Sequence, residues 1–414
     1  MTISTTEGPT TGEGLLRILA RRGVDLVFGV PGNHTVALYR GFAEAGIRHI
    51  TCRHEQGAAF MADGYARATG RPGVCVLISG PGLLNAATAI AQARADSVPL
   101  LIITGVAPVA DLGMGRGTLH ELPDQHATAL SFCRTSHTLL SPDNLEAVLS
   151  NAFAAFRTQR PGPAHLEIPL DLMDATMTAG VSTPAPLLAP PGPDPELTAE
   201  AAAWLREANA PLLLIGGGTQ HAAEEIRALA VALDMPVVTT VNGKGVMPAS
   251  HPLAAGGSPS LPALRRAQNE ADVLLAIGTE MGETDYDLLM VGPLEPHPKL
   301  IRVDIDSAQL LTPYPPAIGL VSDAASAARA LQDAIGADSR AAGTGARRAA
   351  DMRDAIRQEP HFHPEVHSIL RAVQDASPEA IIVGDSTRPT YYAAWMLECE
   401  EPRRYFHSVS GFGT

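Results

Sequence analysis

Val74-Cys-Val-Leu-Ile-Ser79 runs straight into Gly80-Pro-Gly82, and Leu100-Leu-Ile-Ile-Thr104 runs into Gly105. Each is an apolar run of strand length closed by glycine, without the polar alternation of a half-solvated strand. Continuous apolar strands of this kind belong to a parallel sheet covered on both faces. The pattern repeats outward. Residues 14–22 read as a helix, 26–30 as a strand, 34–45 as a helix and 48–51 as a strand. Further on, 211–218, 235–240, 273–278 and 300–305 read as buried strands, with helices such as 222–233 between them. The predicted fold class is therefore α/β, built of repeated doubly wound parallel-sheet domains.

The chain has 414 residues, which at about 150 residues per domain gives two to three domains. The stretch Val181-Ser-Thr-Pro-Ala-Pro-Leu-Leu-Ala-Pro-Pro-Gly-Pro-Asp-Pro195 cannot hold a helix or a central strand and reads as a semi-rigid linker. The expected division is a first α/β domain over 1–180, the linker over 181–196, a second α/β domain over 197–345 and a third segment over 346–414. A small-residue stretch at 337–345 reads as a hinge. The third segment opens with a helix over 364–376, then a strand over 380–383 and the loop Gly384-Asp-Ser-Thr387. It holds only two strand-like runs before Gly411-Phe-Gly-Thr414. A doubly wound domain needs more to close its core, so a fragment, or a second polypeptide supplying the rest, is expected.

Composition excludes several functions. Hydrophobic residues at 45% and charged residues at 18% rule out a disordered chain. A net charge of −14 leaves no basic stripe for nucleic acid, and 4% aromatic residues offer little base stacking. The N-terminus lacks the basic and apolar regions of a signal peptide, and the apolar runs are too short to span a bilayer, so no membrane role is expected. Cys52, Cys75, Cys133 and Cys399 are scattered, with no CxxC pair, as expected of reduced core thiols in the cytoplasm.

The chemistry centres on Arg53-His-Glu-Gln-Gly-Ala-Ala-Phe-Met-Ala-Asp-Gly-Tyr-Ala-Arg67. On a helix, Glu55 shares a face with Ala58, Ala59, Ala62 and Ala66. A carboxylate heading such a stripe is partly desolvated, which favours the protonated form needed for proton transfer near neutral pH. From spacing alone, a helix-start glutamate facing the N-terminal dipole is the preferred account.

Four motifs in order carry a resemblance: Phe28-Gly-Val-Pro-Gly-Asn33, the 53–67 block, Ser79-Gly-Pro-Gly-Leu-Leu-Asn85 and Asp96-Ser-Val-Pro-Leu100. Together they resemble the pyrimidine-binding domain of thiamine-diphosphate enzymes of the acetolactate synthase and 2-oxoacid decarboxylase group. The resemblance extends through a middle domain to the start of the diphosphate-binding domain near Gly384. Leu119-His-Glu-Leu-Pro-Asp-Gln125 is most similar to the 5-guanidino-2-oxopentanoate decarboxylase branch. It implies decarboxylation of a 2-oxo acid through an enamine, or a carboligase that joins the enamine to a second carbonyl. A non-catalytic scaffold that keeps the fold is the alternative from another class. Glu55 would protonate N1′ of the cofactor's aminopyrimidine and promote the imino tautomer. The cofactor would be held by a neighbouring subunit, implying a homo-oligomer or a hetero-oligomer with a chain that completes the diphosphate-binding domain. Mg²⁺ would accompany it, its ligands expected beyond Thr414 or on a partner chain.

Pro31-Gly-Asn-His34 would sit at the carboxyl end of a strand, where open α/β sheets bind ligands. Asn33 and His34 there can hydrogen-bond a substrate carboxylate, and Asn33 also reads as a plain helix N-cap. Pro81 and Asn85 follow a tight glycine turn that, by the resemblance, packs near the pyrimidine. His120 follows the glycine-rich Gly113-Met-Gly-Arg-Gly117 and is a candidate for proton transfer, while Glu121 or Asp124 is a candidate for a cationic substrate tail and Gln125 for a further substrate contact. A solvated loop carboxylate is the simpler reading of Glu121. Gly384, Asp385, Ser386 and Thr387 offer donors for a diphosphate, or a plain turn. Gly216-Gly-Gly218 lacks the GxGxxG spacing, so no nucleotide is expected in the middle domain.

Overall fold

The computed structural model describes residues 8–178, 186, 188–336 and 343–408. Residues 181–185 and 187 of the expected linker, 337–342 of the expected hinge and the 411–414 terminus lie outside the described residues. The chain divides into two compact units, the first running to Ala189 and the second from Pro190.

The first unit runs α1 (Thr11–Arg21), β1 (Leu26–Gly29), α2 (Val36–Tyr39), α3 (Phe42–Ala45), β2 (Arg48–Thr51), α4 (Glu55–Thr69), β3 (Gly73–Leu77), α5 (Pro81–Ala95), β4 (Leu100–Val106), α6 (Gln125–Leu130), β5 (Thr135–Thr138), α7 (Leu145–Thr158), β6 (Pro163–Pro169) and α8 (Leu170–Met173). Thr10 and Glu13 start α1 with a reciprocal capping box, which satisfies two backbone donors at once. All the strands are parallel, in the order β2-β1-β3-β4-β6-β5. Successive residues of β4 alternate between two cores: Leu101 and Ile103 pack with α1 and α7, Leu100 and Ile102 with α4 and α5. An apolar run without polar alternation is the signature of a sheet buried on both sides. The helix expected over 34–45 is broken into α2 and α3. The break falls at Gly41, which lies so close to the backbone of Glu13 that a Cβ there would sit 3.1 Å from its Cα.

The second unit runs α9 (Pro195–Glu207), β7 (Leu212–Ile215), α10 (Ala223–Ala232), β8 (Val237–Thr239), α11 (Pro262–Glu270), β9 (Leu274–Ile277), α12 (Leu288–Val291), β10 (Leu300–Asp304), α13 (Ser307–Leu310), β11 (Ile318–Val321), α14 (Ala324–Ile335), α15 (Thr344–Arg357), α16 (Pro364–Ala376), β12 (Ile382–Gly384), α17 (Arg388–Met396) and β13 (Tyr405–His407). Its main sheet is again parallel, in the order β11-β10-β9-β7-β8, and β12 pairs with β13 alone. Asp194 caps α9, taking the amides of Glu196 and Leu197, so the last residues of the proline-rich stretch open this unit. Helix α15 packs on α11, and Met352, Ile356, Tyr392 and Met396 share a core with Leu212 and Leu274. Residues 343–408 thus pack within the second unit. Among the described residues no helix is long and apolar enough to cross a membrane.

Candidate active site

In the first sheet the chain leaves β1 toward β2 on one side and continues through β3 and β4 on the other. The switch point therefore lies between β1 and β3, and loops at the carboxyl ends of those strands flank the crevice where open α/β sheets bind ligands. These are the 30–35 and 78–80 loops. They meet directly, because His34 Nδ1 and Ser79 Oγ share a hydrogen bond. His34 is buried, and burial holds its ring below the usual histidine range, with His120 adding to the effect. The His34 and His120 rings stand edge to face at 5.0 Å.

Thr35, rather than Asn33, is the residue at the start of α2; its hydroxyl donates to the Gly32 carbonyl at 3.1 Å and accepts from the Gly32 amide at 3.2 Å. Asn33 and Pro31 are exposed on the rim of the crevice. A Cβ on Gly32 would run into the Ile78 side chain, so this glycine brings the two loops together.

Glu55 is the first residue of α4 and is 8% exposed, while Ala58, Ala59, Ala62 and Ala66 below it are buried, as the helical spacing predicts. Its Oε2 accepts from Asn85 Nδ2 of α5 at 3.0 Å. Oε1 has no hydrogen bond among the described residues. At the far ends of the same helices, Arg67 of α4 binds Asp96, the C-cap of α5, at 2.9 Å, and Asp63 at 2.6 Å.

Gly80 joins these parts. Its φ is +55° and a Cβ would overlap the His120 carbonyl oxygen, so only glycine fits. Its amide donates to Gln125 Oε1 at 2.7 Å. The Gln125 amide in turn donates to Thr104 Oγ1 at 3.1 Å, the Gly105 carbonyl at 2.9 Å and Glu167 Oε2 at 2.9 Å. Both ends of this buried amide are thus committed to holding the Gly80 turn against β4 and β6. Gly80→Ala is expected to cost about 1–3 kcal/mol through backbone strain and displacement of His120. A thermal melt reads this, and a variant within about 0.5 kcal/mol of the parent would show that the 118–122 segment yields freely.

Ser79, His120, Glu121, Asp124, Gln125, His126, Thr138 and Glu167 line a pocket of about 230 Å³, with Leu112, Leu119 and Leu122 among its apolar walls. Buried His120 Nδ1 and His126 Nδ1 have no hydrogen-bond partner. A buried polar atom without a partner is uncommon in a native structure. Glu121 Oε2 accepts the amides of Gly117 at 2.6 Å and Thr118 at 3.1 Å, closing the glycine-rich loop on itself.

Sequence reasoning missed Glu167, Thr104, His165 and Thr138. His165 and Glu167 stand two apart in an otherwise apolar strand, so they face the same side of the sheet. Polar residues at period two inside a buried strand are a signal that could have revealed them.

The residues of the first unit fit the pyrimidine end of the expected cofactor: a buried carboxylate with one oxygen anchored and one without a partner, at the head of α4. Gly384–Thr387 belong to the second unit. There Asp385 Oδ1 takes the Ser386 amide and the Asp385 carbonyl takes the Thr387 amide, each at 2.7 Å, while Thr387 Oγ1 lies 3.1 Å from Thr390 Oγ1. These hydrogen bonds shape the turn, and Asp385 and Ser386 are exposed on it. Among the described residues no group of three His, Cys, Asp or Glu side chains suits a metal ion.

Residues 9–128 match the model of the N-terminal TPP binding domain of thiamine pyrophosphate enzymes, and residues 198–331 match that family's central domain. A probable 2-ketoarginine decarboxylase, AruI, of Pseudomonas aeruginosa is 42% identical over 410 residues, covering 98% of this chain and 72% of that protein. The large subunit of Escherichia coli acetolactate synthase isozyme 1 is 34% identical, over 78% of this chain and 57% of its own length. A probable acetolactate synthase large subunit of Methanocaldococcus jannaschii is 34% identical over 78% of this chain and 56% of its own. The chain thus spans between 56% and 72% of the length of these relatives. With both domain models in order, and Glu55 buried at the head of α4 in the first, the chain belongs to the thiamine pyrophosphate enzyme family.

Proposed function

We propose that this chain takes part in thiamine-diphosphate-dependent decarboxylation of a small 2-oxo acid, of the guanidino class named for its Pseudomonas relative. The observation that carries the reading is Glu55, buried at the head of α4 with Oε2 held by Asn85. When bound, thiamine diphosphate supplies a carbon nucleophile for the carbonyl of a 2-oxo acid and takes up the electrons released as carbon dioxide departs. The chain's own residues then have distinct tasks. Glu55 holds or moves a proton at Oε1, and the Asn85 amide fixes the direction in which that oxygen points. His34, steadied by Ser79, and His120, packed on its edge, are placed to handle a second proton. Gln125 keeps the Gly80 turn in place.

The reading includes Mg²⁺ and a partner chain, a further copy or a different polypeptide, that supplies the diphosphate side. What supports it is the membership of the thiamine pyrophosphate enzyme family, together with a chain that spans 56% to 72% of the relatives' length. It also places the protein in the cytoplasm, consistent with four buried cysteines that are all free thiols.

The test is release of carbon dioxide from 5-guanidino-2-oxopentanoate and from pyruvate, with thiamine diphosphate and Mg²⁺. The full chain is assayed alone and with the polypeptide encoded next to it. Carbon dioxide with the aldehyde as co-product supports decarboxylation, and carbon dioxide with a condensed hydroxy-oxo acid supports the carboligase alternative. No release from either acid in either sample overturns the proposal.

A further inference from the structure

Four carboxylates line the pocket beneath the glycine-rich loop: Asp111, Glu121, Asp124 and Glu167. Three already have local work. Asp111 pairs with Arg116 at 2.6 Å. Glu121 closes the glycine-rich loop through the Gly117 and Thr118 amides. Asp124 caps α6, its Oδ1 taking the Ala127 amide at 2.8 Å.

Glu167 differs from all three. It lies within β6, 3% exposed, at the floor of the pocket, directly opposite Thr104 in the sheet. Its two oxygens accept from neutral donors, the Thr138 hydroxyl at 2.7 Å and the Gln125 amide at 2.9 Å. Among the described residues no lysine or arginine pairs with it. His126 and Asp124 act on it from the pocket wall, with opposite signs. Burial pushes its carboxyl above the usual range, and the two hydrogen bonds only partly offset that push.

A buried carboxylate without a fixed cation is an expensive arrangement. A carboxylate has roughly four acceptor positions, and only two are used here. The remaining positions suit the planar fork of a guanidinium, which binds a carboxylate through two parallel hydrogen bonds. The pocket of about 230 Å³ is several times the roughly 30 Å³ that one water occupies, so a short organic tail fits.

We propose that Glu167 is the specificity-determining carboxylate of this pocket and receives the cationic, guanidinium-type tail of the substrate. This rests on the 2-oxo acid reading given above and deepens it. Glu121 and Asp124, the candidates of the sequence for that task, serve the loop and the helix that shape the pocket instead.

The test uses ligands that cannot turn over, so it is independent of decarboxylation. The full chain is titrated by calorimetry with 5-guanidinopentanoate and with 7-methyloctanoate, its uncharged isostere. The guanidino ligand should bind the parent chain at least about tenfold more tightly. Glu167→Gln should lose roughly ten- to a hundredfold on the guanidino ligand and stay within about twofold on the isostere, as expected for a charge-assisted hydrogen bond. Glu121→Gln should keep the preference. If circular dichroism shows that Glu167→Gln is unfolded, Glu167→Asp carries the comparison, because it keeps the charge and withdraws it by one methylene. Its guanidino affinity should fall while its isostere affinity holds. An equal affinity of the parent chain for both ligands, no binding of either, or an unchanged preference in the folded variants overturns the proposal. Failure of the carbon dioxide assay alone overturns the reaction and leaves this ligand preference standing.

Discussion

Glu55→Gln should lower decarboxylation by roughly a hundred- to ten-thousandfold, the range for losing a positioned proton donor, and leave the fold unchanged. The substitution isolates the proton from the packing. A glutamine has the same length, and its amide oxygen can accept the Asn85 Nδ2 hydrogen bond that Glu55 Oε2 now accepts at 3.0 Å. The alanine stripe below it is untouched. What disappears is the acidic proton, and with it the ability to give and retake charge at Oε1. Turnover of the parent and the variant, measured alongside their thermal melts, checks this. Activity within about threefold of the parent would remove Glu55 from the chemistry.

A second large effect concerns acid. His165 is 2% exposed on β6; its Nε2 lies 2.8 Å from Thr104 Oγ1 and its Nδ1 2.8 Å from Ser136 Oγ, so one ring bridges β4 and β5. Burial holds its pKa down at about 3, against 6.5 for a free side chain, and His126 adds to the depression. Between those values the unfolded chain binds a proton that the folded chain refuses. The stability tied to this residue is therefore complete above pH 6.5 and is lost as the pH falls toward 3, by up to about 5 kcal/mol, near 1.4 kcal/mol per pH unit within the window. Glu167, with its raised carboxyl pKa, gains stability on protonation and offsets part of the loss. Denaturant midpoints from pH 7 to pH 4 should fall more steeply for the parent chain than for His165→Asn, which has no ring to protonate. Parallel slopes would show that this histidine is not what makes the sheet acid-labile.

The sequence exposes much of the first unit. The apolar runs at 74–79 and 100–104 do become central parallel strands, and the helical spacing correctly places Glu55 above its alanines. Glycine loops at 32 and 80 do fall at the switch point. Legibility ends where a contact depends on register. Nothing local pairs Thr104 with Glu167, because their meeting is set by the alignment of β4 with β6, sixty-odd positions apart in the chain. The Asn85–Glu55 hydrogen bond likewise depends on how two helices pack. Gln125 reads as a loop residue in a polar stretch, yet the fold turns it inward onto four partners. Periodicity reports which face a residue occupies, and says nothing of what lies opposite.

Helices α4 and α5 are fastened twice, by Glu55 with Asn85 at one end and by Arg67 with Asp96 at the other. The two fastenings stand about 18 Å apart at 1.5 Å per residue. A rod fixed at one point can still pivot, whereas a rod fixed at two can neither slide nor tilt. The pair behaves as a truss, and the buried aspartate–arginine knot at its far end acts as the remote bearing that keeps the Glu55 carboxylate from wandering.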